Sequence, residues 1–249
     1  DMAITMQYTD QATQLANLSG GNAYLLAPNY PLFAADGSYN WYAGTNLAAE
    51  ATSSSQNKIS NFITNLNLSY RVAKGLSLKL TTGLVSTSTQ QQLKFPSSSL
   101  RPNLVNYVQH GNHINQSGII EPQLTYDVKH KASSLSLLLG STLQLRSNQR
   151  QYLQASNYSL EHLMEDWGSA GVIDSRSSNF SDYRYASVFA RASYGYKNTY
   201  LLNATFRRDG SSRFGPGNRF GNFGAIGAAW IFSNLKAVKE NLALLSFGK

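Results

Sequence analysis

The chain has 249 residues, a net charge of +8 and no cysteine, and only 14% of its residues are charged, against about 25% in soluble domains. The lack of cysteine excludes a disulfide framework and thiolate metal sites, and no apolar run reaches the about 20 residues of a membrane helix. Because the basic residues are scattered among the strands and never form a run of five, the positive charge does not indicate a nucleic-acid partner.

Eight segments alternate between apolar and polar residues, which is the pattern of strands whose two faces meet different surroundings. In one of them Tyr200, Leu202 and Phe206 alternate with Asn203 and Thr205. The alternation predicts strands over 2–8, 62–72, 76–84, 120–128, 135–146, 186–196, 199–209 and 226–232. Residues 244–249 have the pattern of the start of a further strand.

The connections between these segments alternate in length. Tight hairpins are predicted at 73–75, 129–131 and 197–198, and long polar loops over 10–57, 89–117, 155–180 and 210–221. This alternation places every long loop at one end of the sheet, which is typical of outer-membrane barrels with short inner turns and long outer loops. We therefore expect an all-β fold, an antiparallel up-and-down transmembrane β-barrel segment that forms an open curved sheet.

Aromatic residues on the apolar faces cluster near the short turns, as in the interfacial girdle of a membrane barrel. They are Tyr70, Tyr126, Tyr194, Tyr196, Tyr200 and Trp230. The two-face pattern predicts that Leu66, Leu137, Val188 and Leu202 contact lipid. It predicts that Asn67, Thr142, Arg191 and Asn203 face the lumen.

Catalytic and metal-binding patterns are weak in this sequence. His110 and His113 have no acidic or cysteine neighbour to complete a metal site. The glycines of Gly215-Pro-Gly217 precede a strand and lack the lysine of a phosphate-binding loop. We expect no enzyme activity, no cofactor and no metal.

Three aromatic residues in the long loops are the candidates for substrate binding. Trp41, Tyr42 and Trp167 could stack on sugar rings or fill pockets of a partner, because exposed aromatic side chains do both. The alternative is that they pack against their own loops, since loops of this length bury some of their side chains.

The long stretch RRDGSSRFGPGNRFGNFGAIGAAWIFS begins at Arg207, and IIEPQLTYD begins at Ile119. Together with residues 182–206 and the final LSFGK, these stretches resemble the SusC/RagA-type TonB-dependent outer-membrane transporters of Bacteroidetes. The resemblance covers roughly 119–249, whereas 1–118 match in pattern only. Its central motif consists of Arg207, Arg208, Asp209, Gly210, Ser211, Ser212, Arg213, Phe214 and Gly215. We interpret the motif as structural, with Arg208 and Asp209 paired across a strand end and Gly210 permitting a turn.

The resemblance implies a parent protein with a barrel of about 22 strands and a plug that contacts the TonB–ExbB–ExbD system. It also implies a SusD-like surface lipoprotein and import of oligosaccharides or peptides across the outer membrane. Residues 1–249 would supply about eight or nine strands of that barrel, without the plug or the barrel termini. A general diffusion porin remains open as an alternative, as does a soluble β-sandwich carbohydrate-binding module or glycosidase.

Overall fold

The chain folds into a single antiparallel sheet of eight strands. The computed structural model describes residues 1–16, 26–235, 238 and 248. The strands pair with their chain neighbours in the order β1 to β8. They are β1 Met2–Ala16, β2 Ser54–Ala73, β3 Leu76–Phe95, β4 Tyr107–His130, β5 Ser133–Tyr158, β6 Ala170–Tyr196, β7 Tyr200–Ser211 and β8 Phe220–Trp230. The eight predicted strands and the antiparallel pairing in chain order are confirmed.

Helical structure among the described residues is confined to single turns. The α-helix α1 spans Leu47–Glu50, and 3₁₀ turns span Ser97–Ser99, Glu161–Glu165, Trp167–Ser169 and Phe232–Asn234. Within these ranges no helix is long and apolar enough to cross a membrane. The further strand predicted at 244–249 lies outside the described residues, apart from Gly248.

The register of the strands separates two faces of the sheet, as the alternation predicts. Leu66 pairs with Thr82 and Leu202 with Tyr194, whereas Asn67 pairs with Thr81. We call the face that carries Leu66, Leu137, Val188 and Leu202 the apolar face. The face that carries Asn67, Thr142, Arg191 and Asn203 is the polar face.

The two faces differ in exposure as well as in composition. Large side chains of the apolar face lie open, including Leu139 at 54% and Phe206 at 52%, whereas Thr142 and Ser187 on the polar face are buried. All six residues of the predicted aromatic girdle lie on the apolar face. Tyr196, Tyr200 and Trp230 stand side by side in one row beside a tight turn. An open apolar face of this size requires an apolar environment rather than water.

The strands extend beyond the predicted ranges at the end of the sheet that carries the long loops. We call this the long-loop end, and the opposite end, which carries the tight turns, the short-turn end. β3 continues to Phe95 and β4 begins at Tyr107, so most of the predicted loop 89–117 is paired strand. The predicted loops 155–180 and 210–221 shorten in the same way, to 159–169 and 212–219, and the predicted loop 10–57 loses residues at both ends because β1 runs to Ala16 and β2 begins at Ser54.

Three tight turns close the short-turn end. β2 and β3 are joined by Lys74 and Gly75, and Gly75 has φ +80 at this turn, beside the carbonyl of Asp127.

 Lys131 follows β4 with φ 49, and Lys197 and Asn198 follow β6 with φ 51 and 54. Left-handed backbone at each turn gives the reversal that a tight hairpin needs.

A small buried core lies at the long-loop end of the sheet. Val108, Ala155, Tyr158 and Met164 form it, with Val108 and Ala155 on paired strand positions of β4 and β5. Nearby, the side-chain amide of Asn106 donates to the Tyr158 carbonyl (3.0 Å) and its oxygen accepts from the Tyr158 backbone N–H (2.8 Å). The core therefore attaches the loop after β5 to the strands beneath it.

Candidate functional site

The loop 159–169 is docked on the sheet by three different contacts. The ring of Trp167 lies 4.7 Å from that of His110, Glu165 forms an ion pair with Lys94, and Met164 packs in the core. His110 is an even number of residues from Ile120 on β4, and Lys94 is an even number from Leu84 on β3. Both side chains therefore belong to the apolar face. Trp167 therefore lies over the long-loop end of the apolar face, and it is 46% exposed.

Burial changes the acid–base behaviour of His110. Desolvation lowers the pKa of the His110 imidazole below its ordinary value, the charge of Lys94 lowers it further, and Glu165 opposes both. The buried Nε2 atom of His110 has no hydrogen-bond partner among the described residues. The neutral ring is the form that suits stacking against Trp167 in this apolar contact.

The other two predicted aromatic residues lie in a different loop, 26–53. Trp41 meets the edge of Tyr39 at 6.5 Å between ring centroids, and Tyr39 stacks on Phe33 at 5.5 Å. Tyr42 is 95% exposed. The structure records no ring contact between Trp167 and either Trp41 or Tyr42, so it does not bring the three candidates into one site.

The three loops at the long-loop end do contact one another through polar groups. The hydroxyl groups of Thr52 and Ser98 are 3.1 Å apart, and the Ser98 backbone N–H donates to Glu161 Oε1 at 3.3 Å. In loop 26–53 the buried Asn46 accepts from the Ala49 N–H at 3.1 Å and so begins α1. These contacts join loops 26–53, 96–106 and 159–169 into one surface.

A wide groove crosses the long-loop end from β1 to β6, with a volume of about 890 Å³. Its lining is rich in amides and includes Gln14, Gln56, Gln92, Asn112, Gln151 and Trp167. Amide groups donate and accept hydrogen bonds without carrying charge. The groove is therefore suited to neutral polar ligands, and Trp167 adds a flat apolar surface.

An aromatic pair on the polar face was not among the predicted site residues. Phe95 and Tyr107 pair across β3 and β4, and their rings stack at 4.5 Å. Burial raises the pKa of the Tyr107 hydroxyl, and nearby Tyr152 raises it further. The alternation of β3 and β4, continued past the predicted strand ends, places both rings on the face of Asn67. That continuation is the signal that could have identified them.

The motif that begins at Arg207 forms a hydrogen-bonded cluster on the polar face. Arg207 Nε donates to Asp209 Oδ1 at 2.6 Å, and Arg207 Nη2 donates to the Tyr185 hydroxyl at 2.5 Å. The Tyr185 hydroxyl in turn donates to Asp209 Oδ1 at 3.0 Å. The predicted pairing of Arg208 with Asp209 is wrong, because neighbouring residues of a strand point to opposite faces. Arg208 instead lies over the Phe220 ring at 5.0 Å.

Gly210 has a role other than the predicted turn. It lies within β7 and pairs with Phe220, and a Cβ atom at Gly210 would come within 2.6 Å of the Phe220 ring. Ser211 ends β7, whereas Ser212, Arg213, Phe214 and Gly215 belong to the loop that follows. Close packing against Phe220 is therefore what requires a glycine at this position.

Comparisons with known proteins agree on one class. No family model matches the chain. The chain is 28% identical over 244 residues to TonB-dependent receptor P3 of Formosa agariphila, covering 92% of this chain and 24% of that protein. It is 25% identical over 250 residues to TonB-dependent receptor P26 of the same organism, again covering 92% and 24%. The chain thus spans about a quarter of the length of the curated relatives that it matches.

Solved structures share the fold. A structure of the RagAB peptide transporter matches with a TM-score of 0.61 and 20% identity, over 75% of this chain and 21% of that one. The open-open state of the RagAB peptide importer matches equally well, with a TM-score of 0.61 and 21% identity, over 76% and 21%. The chain is therefore similar to the SusC/RagA-like TonB-dependent receptors.

The SusC/RagA-like chain is an outer-membrane protein, and its sheet has the faces that this location requires. Membrane barrels meet lipid with an apolar face and line the lumen with a polar one. The relatives are receptors and transporters rather than enzymes. Among the described residues no group of three or more His, Cys, Asp or Glu side chains could hold a metal ion.

Proposed function

We propose that the receptor containing this SusC/RagA-like chain imports an oligomeric nutrient, an oligosaccharide or a peptide, by TonB-dependent transport. The single observation that carries the proposal is the sheet itself. It has an open apolar face, a polar face and long interlocked loops at one end only. A wall of this kind encloses a polar passage through lipid and exposes a large loop surface to the outside.

The domain arrangement is part of the proposal. Residues 1–249 supply part of the barrel domain, and the plug and the remaining strands come from the rest of the parent protein, of which this chain is about a quarter by comparison with its relatives. The plug transmits energy from the TonB–ExbB–ExbD system. A SusD-like surface lipoprotein covers the long-loop end. We place Trp41, Tyr42 and Trp167 among the residues of that surface that contact the nutrient or the lipoprotein.

The loop 159–169 provides the sharpest test. A deletion that reached into β5 would also remove Ala155 and Tyr158, which belong to the buried core.

 Deleting Leu160–Ser169 and joining Ser159 to Ala170 leaves the described strands whole. In the whole receptor this deletion is expected to reduce uptake of the nutrient while the barrel still assembles, because the loop lies outside the paired strands. Heat-modifiable migration of the barrel on gels checks the assembly.

The dependence of uptake on TonB distinguishes active import from passive diffusion. Uptake by cells that express the whole receptor is measured with and without TonB, with labelled oligosaccharides and peptides supplied in parallel. We expect uptake of one class to stop when TonB is removed. Uptake that continues without TonB for every oligosaccharide and peptide supplied would contradict active import and favour a diffusion porin.

A further inference from the structure

A second groove, distinct from the loop surface, lies on the apolar face and has a volume of about 530 Å³. We call it the trench. Its lower edge, the one nearer the short-turn end, is one row of paired residues across five strands. The row consists of Ile120, Leu143, Ala186, Gly210 and Phe220. The row above it contributes Gly118 and Leu145 together with Arg184.

The shape of the trench comes from small residues set between large ones. Gly118 and Ala186 lie in its floor, Leu145 rises beside them, and the ring of Phe220 packs over Gly210 at the edge. Phe220 and Leu145 are each 62% exposed. An apolar groove between raised side chains gives an extended hydrocarbon chain van der Waals contacts on more than one side.

The trench lies at the level where the hydrocarbon layer ends. Ile120 is ten residues from the end of β4 at His130, and Ala186 is ten residues from the end of β6 at Tyr196. A tilted strand crosses the hydrocarbon layer in about 9 to 11 residues. Because the short turns mark the inner boundary, the lower row of the trench marks the outer boundary, with Arg184 just above it.

Positive charge collects at this boundary. Arg184 and Arg219 line the trench, and Arg208 lies over the ring of Phe220, which also lines it. Among the described residues no carboxylate forms a salt bridge with any of these three arginines. Asp182, which shares the face of Arg184, forms no ion pair with it. The guanidinium groups are therefore available to an anion at the membrane surface.

We propose that the trench binds a phosphate-bearing lipid of the outer leaflet, with an acyl chain along Ala186 beside the Phe220 ring and a phosphate against Arg184. Arginine is suited to phosphate because its planar fork donates two hydrogen bonds at once. The acyl chain gains van der Waals contacts in the groove rather than hydrophobic free energy, because it comes from lipid and not from water. The charge and the level of the trench together favour lipid over a second copy of the receptor, whose matching face would bring the same arginines together.

A charge-removing pair of variants tests the phosphate contact. The whole receptor is purified in detergent, purified lipopolysaccharide is added, and native mass spectrometry measures the bound fraction. We expect Arg184→Gln to weaken lipopolysaccharide binding about tenfold, as loss of a charge-assisted hydrogen bond would. The matched control is Arg191→Gln on the same strand, which removes one positive charge from the polar face and should leave binding unchanged. Equal losses in both variants, or none in Arg184→Gln, would overturn the proposal.

A trench-filling variant tests the acyl chain. Ala186→Phe should also reduce lipopolysaccharide binding, because the larger ring occupies the floor, whereas heat-modifiable migration confirms that the barrel still forms. Dephosphorylated lipopolysaccharide and phosphatidylethanolamine should bind less than intact lipopolysaccharide. If Ala186→Phe leaves lipid binding intact and instead breaks a receptor dimer, the trench is an interface between copies and the lipid proposal is wrong. If inorganic phosphate alone displaces the lipid and Ala186→Phe has no effect, the site binds free phosphate and the proposal is wrong.

Discussion

At the scale of single residues, the alternation of a strand decides which charges can pair. Arg207 and Asp209 are two positions apart on β7 and share the polar face, where Tyr185 joins them. Arg208 lies between them on the opposite face. The pairing therefore follows from the period of two, and proximity in sequence is misleading for adjacent strand residues.

Double-mutant cycles test this pairing. The cycle of Arg207→Leu with Asp209→Leu should give a coupling free energy of about 1 kcal/mol, since the ion pair is partly exposed and is reinforced by the Tyr185 hydroxyl. The cycle of Arg208→Leu with Asp209→Leu should give a value near zero. Both are measured by chemical unfolding of the whole receptor in detergent. A larger coupling for the Arg208 cycle would contradict the structure.

Sequence alone identified the motif but could not assign its contacts. The partner of Arg207, Tyr185, comes from the neighbouring strand β6, and the pairing register that brings them together is not readable from either strand alone. Trp167 shows the same limit, because its contact with His110 joins residues from a loop and a distant strand. In both cases the sequence indicated that the residue matters but not which residue it contacts.

At the scale of elements, the strands were predicted correctly in number and order but too short at the long-loop end. Gln90, Gln91 and Gln92 are polar on both faces of β3, so no alternation marks this part as a strand. The structure pairs them with Gly111 and its neighbours in β4. Above the lipid both faces meet water or loops, and the apolar signal that reveals a membrane strand is absent there.

The tight turns differ in how much backbone strain each residue bears. Gly75→Ala should lower the free energy of unfolding by about 2 kcal/mol or more, because a Cβ atom would come within 2.2 Å of the Asp127 carbonyl oxygen and φ is +80. Lys131→Gly, at φ 49 in the next turn, should be neutral or stabilise by up to about 1 kcal/mol. Chemical unfolding measures both variants. A neutral Gly75→Ala would show that this turn relaxes freely.

Docking of the loop 159–169 should depend on pH through His110. Burial first, and the charge of Lys94 second, lower the pKa of His110 when the loop is docked. The undocked imidazole binds a proton more readily, so docking is unaffected above a pH of about 6.5 and weakens as the pH falls below it. Hydrogen exchange of residues 159–169 should therefore be faster at acidic pH.

Two histidine variants separate this effect from general acid sensitivity. His110→Gln should remove the pH dependence of exchange in the loop, because no imidazole remains to be protonated at the contact with Trp167. His113→Gln, three residues along β4 and on the polar face, should leave it unchanged. A loop that keeps its pH dependence in His110→Gln would exclude His110 as the cause.

At the scale of the whole molecule, the sheet separates lipid from lumen through alternation on every strand. The register confirms the two predicted faces, and the depth of a residue in the membrane follows from its distance to the short-turn end. Leu202 lies two residues from the start of β7 at Tyr200, beside the aromatic girdle. It therefore sits near the inner interface, whereas Phe206, six residues from that end, lies near the middle of the hydrocarbon layer.

A charge placed on either face at mid-membrane gives the final prediction. Phe206→Arg should destabilise the whole receptor by about 2 to 4 kcal/mol, because an arginine at the bilayer midplane faces hydrocarbon. Thr205→Arg, the adjacent residue on the polar face, should cost far less because it faces the wet lumen, where the repulsion from Arg191 directly opposite on β6 is screened by water. Unfolding in lipid vesicles of defined thickness measures both variants. Leu202→Arg should fall between them, since the guanidinium group can reach the interface from that depth. Similar losses for Phe206→Arg and Thr205→Arg would mean that the two faces do not separate lipid from water.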